Sequence, residues 1–226
     1  MKLCESSVDR SRLYFHGKTG INPIREILPP EPFKPFFVSS DLDYVLTYAT
    51  YAPLKHYKEH VDPEVILVKL NPNARVFDPT VPADLNRLDR LNFWELDVLD
   101  RLASGADVLM VMEYAAHSIL GKNRESRMGQ ILKGAGARTF RDYFCKQLLD
   151  LGYDMFKTSE DVDNTASEHV YGIINKRGFE SFYPDIIDIE TAKQANQMLK
   201  TGVSNDQVIK FIQENNQNEV VKEIRP

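Results

Sequence analysis

The sequence predicts an α+β fold: a mainly antiparallel β core with a helical insertion and closing helices. Three observations predict it. Short aromatic and β-branched runs cluster in residues 12–78 and return in residues 153–189. Between them, residues 83–120 carry apolar side chains at helical spacing. Residues 191–215 read as helices again. With 226 residues, 42% of them hydrophobic, the chain is expected to form a single domain over 1–226. The insertion is expected at about 83–138 and the closing helices at about 191–215.

The elements follow in order. Residues 12–17 read as a strand and Ile21 to Leu28 as a short helix with Pro23 in its first turn. Pro29, Pro30, Pro32 and Pro35 force an extended connection. Residues 36–40 make the second strand, and Ser40 or Asp41 caps a helix from Leu42 to Tyr51. Val65 to Leu70 is an apolar strand, Asn71-Pro72-Asn73 a turn, and Ala74 to Asp78 the next strand. Two helices are expected at Ala83 to Leu102 and Asp107 to Leu120, then a glycine-rich basic loop over 121–138. Thr139 to Leu151 is an amphipathic helix stopped by Gly152. Tyr153 to Lys157 is a strand, Thr158 to Ser167 a polar loop, and the run opened by Glu168 another strand through Ile174. Ile186 to Ile189 is a short strand, helices occupy 191–200 and 204–215, and the tail from Asn215 is polar and frayed.

Composition narrows the partners. A formal net charge of −5 gives no global attraction to nucleic acid. Cys4 and Cys145 have neither metal-site nor redox spacing and read as free thiols of a reducing compartment. His56 and His60 form no ligand set, and no metal is expected. The first residues lack the apolar stretch of a signal peptide, and no run reaches membrane-span length. The expectation is a cytoplasmic protein without membrane contact.

Three positions stand out for chemistry. His16 closes a hydrophobic strand with Gly17 directly behind it, where a missing Cβ lets another group approach the backbone. Phe36, Phe37 and Ser39 lie in an aromatic strand that leads into a helix bearing Tyr44, Tyr48 and Tyr51 at helical spacing. Glu168 opens the run Glu168-His169-Val170-Tyr171-Gly172. Strand alternation puts Glu168, Val170 and Gly172 on one face and His169, Tyr171 and Ile173 on the other, so Glu168 faces the ligand while Tyr171 packs.

In these stretches the chain resembles the ADP-ribosyltransferase superfamily, in the branch of diphtheria toxin and the poly-ADP-ribose polymerases. The matching segments are Phe15-His16-Gly17, Phe36 to Ala49 and Ser167 to Tyr171, joined by Leu151 to Met155, and cover roughly 12–78 and 139–190. The resemblance implies a split antiparallel core and NAD as co-substrate. It implies that Glu168 is the catalytic carboxylate, that His16 bonds the adenosine-side ribose, and that Gly17 binds the carboxamide. Tyr48 would stack on the nicotinamide ring, with Tyr44, Phe37 and Ser39 beside it and Thr19 replacing a family hydroxyl. Two departures matter. Phe36 or Phe37 stands where the family has a tyrosine, and Ala166 stands where arginine-modifying relatives carry glutamate.

The implied activity is mono-ADP-ribosyl transfer. From Lys122 to Lys146 there are seven basic residues against two acidic ones, and Lys122, Arg124, Arg127, Lys133 and Arg138 are candidate acceptor contacts. They tilt the expected acceptor toward nucleic acid, RNA before DNA, with a protein acceptor as the alternative. Compact relatives of this kind are often intracellular toxins of toxin–antitoxin or phage-defence systems, which implies an antitoxin protein partner. A degenerate module that binds NAD or ADP-ribose without transfer is the non-enzymatic alternative.

Overall fold

A computed structural model describes residues 8–9, 11–18, 35–56, 64–89, 96–120, 139–162, 165–180 and 185–222. Among these residues the fold is mixed α/β, with one seven-stranded sheet and seven α-helices. The strands are β1 (Tyr14–Lys18), β2 (Phe36–Ser39), β3 (Glu64–Val68), β4 (Val76–Phe77), β5 (Met155–Val162), β6 (Thr165–Ile173) and β7 (Asp185–Asp188). The helices are α1 (Leu42–His56), α2 (Pro82–Asp89), α3 (Leu96–Ala103), α4 (Val108–Leu120), α5 (Phe140–Asp150), α6 (Ile189–Lys200) and α7 (Asn205–Lys222). No helix of the described residues is long and apolar enough to cross a membrane.

The sheet order is β4-β5-β6-β2-β1-β3-β7, antiparallel throughout except for the parallel β4–β5 pair. Its weakest seam lies between β1 and β2, which share the single register pair Phe15–Ser39. On either side the ladders are longer: five pairs join β1 to β3, and four join β2 to β6. One face of the sheet carries Phe77 and Phe156 under α2 to α5, and Phe15, Val65 and Val170 under α1, α6 and α7. Phe37 packs against both groups. The opposite face buries Tyr14, Val38, Ile66, Tyr171 and Ile173 against Leu70, Ala74 and Phe179. Period-two burial of this kind is what two covered faces require.

Several boundaries differ from the sequence reading, each for a physical reason. Residues 158–162 and 165–167 extend β5 and β6 into a long hairpin and are not a polar loop. Polar residues sit there because cross-strand pairing satisfies the backbone, while Thr158, Ser159, Glu160 and Ser167 line a cavity. The stretch 83–102 forms α2 and α3, which pack against each other as one continuous helix could not. Helix α1 continues to His56, and α7 runs through the polar segment to Lys222. Cys145 is a free thiol buried in the core, and burial pushes its pKa up to about 12. The helix expected at 21–28 and the loop expected at 121–138 lie outside the described residues, as does Cys4.

Caps explain where helices start and stop. Thr139 and Asp142 form a reciprocal capping box at the start of α5. Gly152, at φ +84°, ends it with a left-handed residue that a side chain would strain. Tyr153 and Asp154 then lock the second half of the sheet. The Tyr153 hydroxyl donates to Asp84 at 2.6 Å, and the Asp154 carboxylate accepts from the Arg75 amide at 3.0 Å. The motif-like stretch 151–155 is thus a structural joint between α2, β4 and β5.

Candidate functional site

The site is built around the thin β1–β2 seam. Beyond Phe15–Ser39, His16 reaches β2 through its side chain: Nδ1 lies 2.6 Å from the Phe37 carbonyl oxygen. A carbonyl only accepts, so Nδ1 carries the proton. The His16 ring stacks on Phe36 at 4.2 Å with 27° between planes. Phe36 in turn meets Phe179 edge to face at 5.6 Å.

Helix α1 forms the other wall. Asp41 caps it, its carboxylate accepting from the amides of Asp43 and Tyr44 at 3.1 and 3.2 Å. Of the two expected caps, Asp41 is the one in place. Val45 and Ala49 press this helix onto β1 so closely that Gly17 has no room for a side chain. A Cβ there would stand 2.7 Å from the Val45 carbonyl oxygen and 3.3 Å from the Ala49 Cβ. Gly17 therefore has a packing reason of its own, apart from any ligand. Tyr44 and Tyr48, one turn apart, present rings 6.4 Å from centre to centre.

These groups surround a cavity of about 240 Å³ lined by His16, Phe36, Phe37, Tyr44, Tyr48 and Glu160, with Gly17, Ser39 and Val170 completing it. That is below the roughly 300–1,000 Å³ of pockets for drug-sized ligands. A larger cavity of about 520 Å³ lies beside it, lined by Asp78, Asp107, Lys157, Thr158, Glu160 and Ser167 among others. Glu160 lines both.

Glu160 went unrecognised in the sequence because its segment reads as a polar loop. The period-two series Phe156, Thr158, Glu160 was the available signal. The Tyr44 hydroxyl donates to Glu160 Oε2. Burial raises the Glu160 pKa and the nearby Asp107 charge adds to it, while the Tyr44 hydrogen bond opposes both. Tyr44 is raised for the matching reason, burial first and then the Glu160 charge. Burial also raises Asp107, against the Leu109 and Met110 amides that its carboxylate caps at the start of α4. Perturbed carboxyls lining a cleft mark a candidate site.

Strand β6 carries a bulge at this point. Val170 faces Thr158 and Ser167 faces Glu160, so three steps along β6 match two along β5. Ser167 Oγ lies 3.0 Å from Ser39 Oγ, and Ser39 is paired with Val170. Ser167 and Val170 thus share a face that strict alternation would have separated. The alternation expected to run from Gly172 back to position 168 is interrupted by this bulge. Glu168 sits within it as a strand position two residues before the cavity-lining Val170, and its side chain lies outside what is described.

The expected site residues divide accordingly. His16, Gly17, Phe37, Ser39, Tyr44 and Tyr48 line one cavity. Thr19, Lys122, Arg124, Arg127, Lys133 and Arg138 lie outside the described residues. The His16 and Glu168 strands are separated by β2, and the cavity is lined from four strands, β1, β2, β5 and β6, together with α1. Comparison with protein families, curated proteins and solved structures finds no match to this chain.

Proposed function

We propose that the chain is an NAD-dependent mono-ADP-ribosyltransferase, which cleaves the nicotinamide–ribose bond and passes ADP-ribose to an acceptor. One observation carries the reading: His16, Phe37, Ser39, Tyr44 and Tyr48, picked out from separate segments by the resemblance, line a single cavity beside the β6 bulge that bears Glu168. The resemblance implies a split core, whereas the described strands form one seven-stranded sheet, whose β1–β2 seam has a single register pair.

On this reading the nicotinamide ring lies against Tyr48, an aromatic contact worth about 0.5–1.5 kcal/mol beyond burial. His16, its Nδ1 proton engaged by Phe37, is held in one tautomer and one orientation for the ribose. As the bond to nicotinamide breaks, positive charge grows at the ribose C1′. The Glu168 carboxylate stabilises that charge and orients a ribose hydroxyl, and nicotinamide leaves with the bonding pair. The acceptor nucleophile then attacks C1′ and gives its proton to the Glu168 carboxylate, which passes it to solvent.

The basic stretch 122–138 favours a nucleic acid acceptor, RNA before DNA, in an intracellular toxin with an antitoxin partner. A protein acceptor is the second reading: the larger cavity carries Asp78, Asp107 and Glu160 against the single cation Lys157, itself paired with Asp78. Incubation with adenylate-labelled NAD and separate pools of RNA, DNA and protein tests the assignment. Label is expected in RNA with wild type and not with Glu168→Gln. Label in protein alone selects the second reading. NAD binding without nicotinamide release in every pool leaves a binding module and overturns the enzyme.

A further inference from the structure

We propose that Glu160 is a positioning residue of the NAD pocket, which acts by holding Tyr44, and with it the α1 face that carries Tyr48, against the β5–β6 hairpin. The inference rests on the transferase reading but concerns a residue the resemblance does not touch. Three observations carry it. The Tyr44 hydroxyl donates to Glu160 Oε2 across 116 positions of sequence, joining α1 to β5. Tyr44, Tyr48 and Glu160 all line the smaller cavity, and Tyr44 as a residue is only 5% exposed. Glu160 is paired with Ser167, which is bonded to Ser39 of β2 where the bulge begins.

Helix α1 is also tied to a neighbouring helix. Asp43 accepts from Asn196 at 2.7 Å and pairs with Lys200 at 2.6 Å, tying α1 to α6. Val45 and Ala49 seat the helix on β1. Among the described contacts, the Tyr44–Glu160 bond ties it to the wall between the two cavities. A donor on a rigid ring and an acceptor on a strand constrain direction as well as distance. Without the bond, Tyr44 is left with a buried hydroxyl and α1 can rotate the Tyr48 ring away from a stacked ligand.

The test uses the whole chain and NAD itself. Affinity is measured by titration calorimetry, and KM and kcat by nicotinamide release. Glu160→Leu keeps bulk and removes the acceptor; Tyr44→Phe keeps the ring and removes the donor. Each is expected to weaken NAD binding about tenfold, the effect of losing a hydrogen bond to a charged group, with the loss falling on KM more than on kcat. The double variant is expected to be no weaker than either single one, since both break the same bond. Glu160→Gln, whose amide oxygen still accepts, is expected to recover most of the loss.

Variants that lower the thermal midpoint but leave NAD affinity within about twofold would show a merely structural bond and overturn the proposal. So would losses that multiply in the double variant. If Glu160→Leu fails to fold, Tyr44→Phe, which preserves the packed ring, decides alone. A wild-type protein that neither binds nor cleaves NAD overturns the transferase reading and this inference together. A wild type that turns over NAD while the variants match it overturns the inference alone.

Discussion

His16 and Phe37 are joined by a hydrogen bond of 2.6 Å from imidazole Nδ1 to main-chain oxygen, at the seam where β1 and β2 share one register pair. A side chain there substitutes for the ladder. The same ring stacks on Phe36, so His16 closes the sheet at the point where the cavity opens it. A group proposed to bind ribose is thereby oriented before any ligand arrives, which is how preorganisation lowers the cost of binding.

His16→Ala removes both contacts. The hydrogen bond contributes about 0.5–1.5 kcal/mol and the ring stack a similar amount. Urea unfolding is expected to show a loss of about 1–3 kcal/mol for the two together. A loss below about 0.5 kcal/mol would mean that the seam does not depend on this residue.

Gly17→Ala separates packing from ligand access. The added Cβ meets the Val45 carbonyl at 2.7 Å, and because both partners are backbone-bound, α1 must move. Overpacking of this kind costs about 1–3 kcal/mol, and the thermal midpoint is expected to fall accordingly. An unchanged midpoint with lost NAD affinity would instead assign Gly17 to the ligand alone.

The pH dependence of stability follows from Glu160. Burial and the Asp107 charge raise its folded-state pKa above the ordinary 4.5, so the folded state binds the proton more tightly than the unfolded chain. Stability from this group is greatest below 4.5 and falls as pH rises through the folded value. Glu160→Gln stays neutral and escapes that loss. The unfolding free energy of the variant minus that of wild type is therefore expected to rise with pH from 4.5 upward and then level off. Paired urea titrations across that range measure it; a difference that is flat or falls with pH would contradict the buried placement.

Much of the architecture was readable because it rests on local signals. Apolar runs such as Val65 to Leu70 marked strands, Asp41 and Thr139 marked helix starts, and Gly152 marked a stop. What was not readable depends on pairing across long separations. Thr158, Ser159, Glu160 and Ser167 are polar and line a cavity, so hydrophobic period gives no strand there. The extra residue of the β6 bulge has no marker in one sequence, and it breaks the alternation by which Glu168 was assigned a face. Glu160 is the clearest case. Its role depends on Tyr44, 116 positions away, and no motif spans that gap. Gly17 was readable as a constraint but not as to its cause, because the helix that needs the space is not its chain neighbour.

The most direct measurement is the rate of nicotinamide release from NAD by wild type and by Glu168→Gln, with NAD binding measured on both. The account predicts release by wild type and a loss of about 10²-fold or more in the variant, with NAD still bound by the variant. No release by wild type, or equal rates in the two proteins, would contradict it.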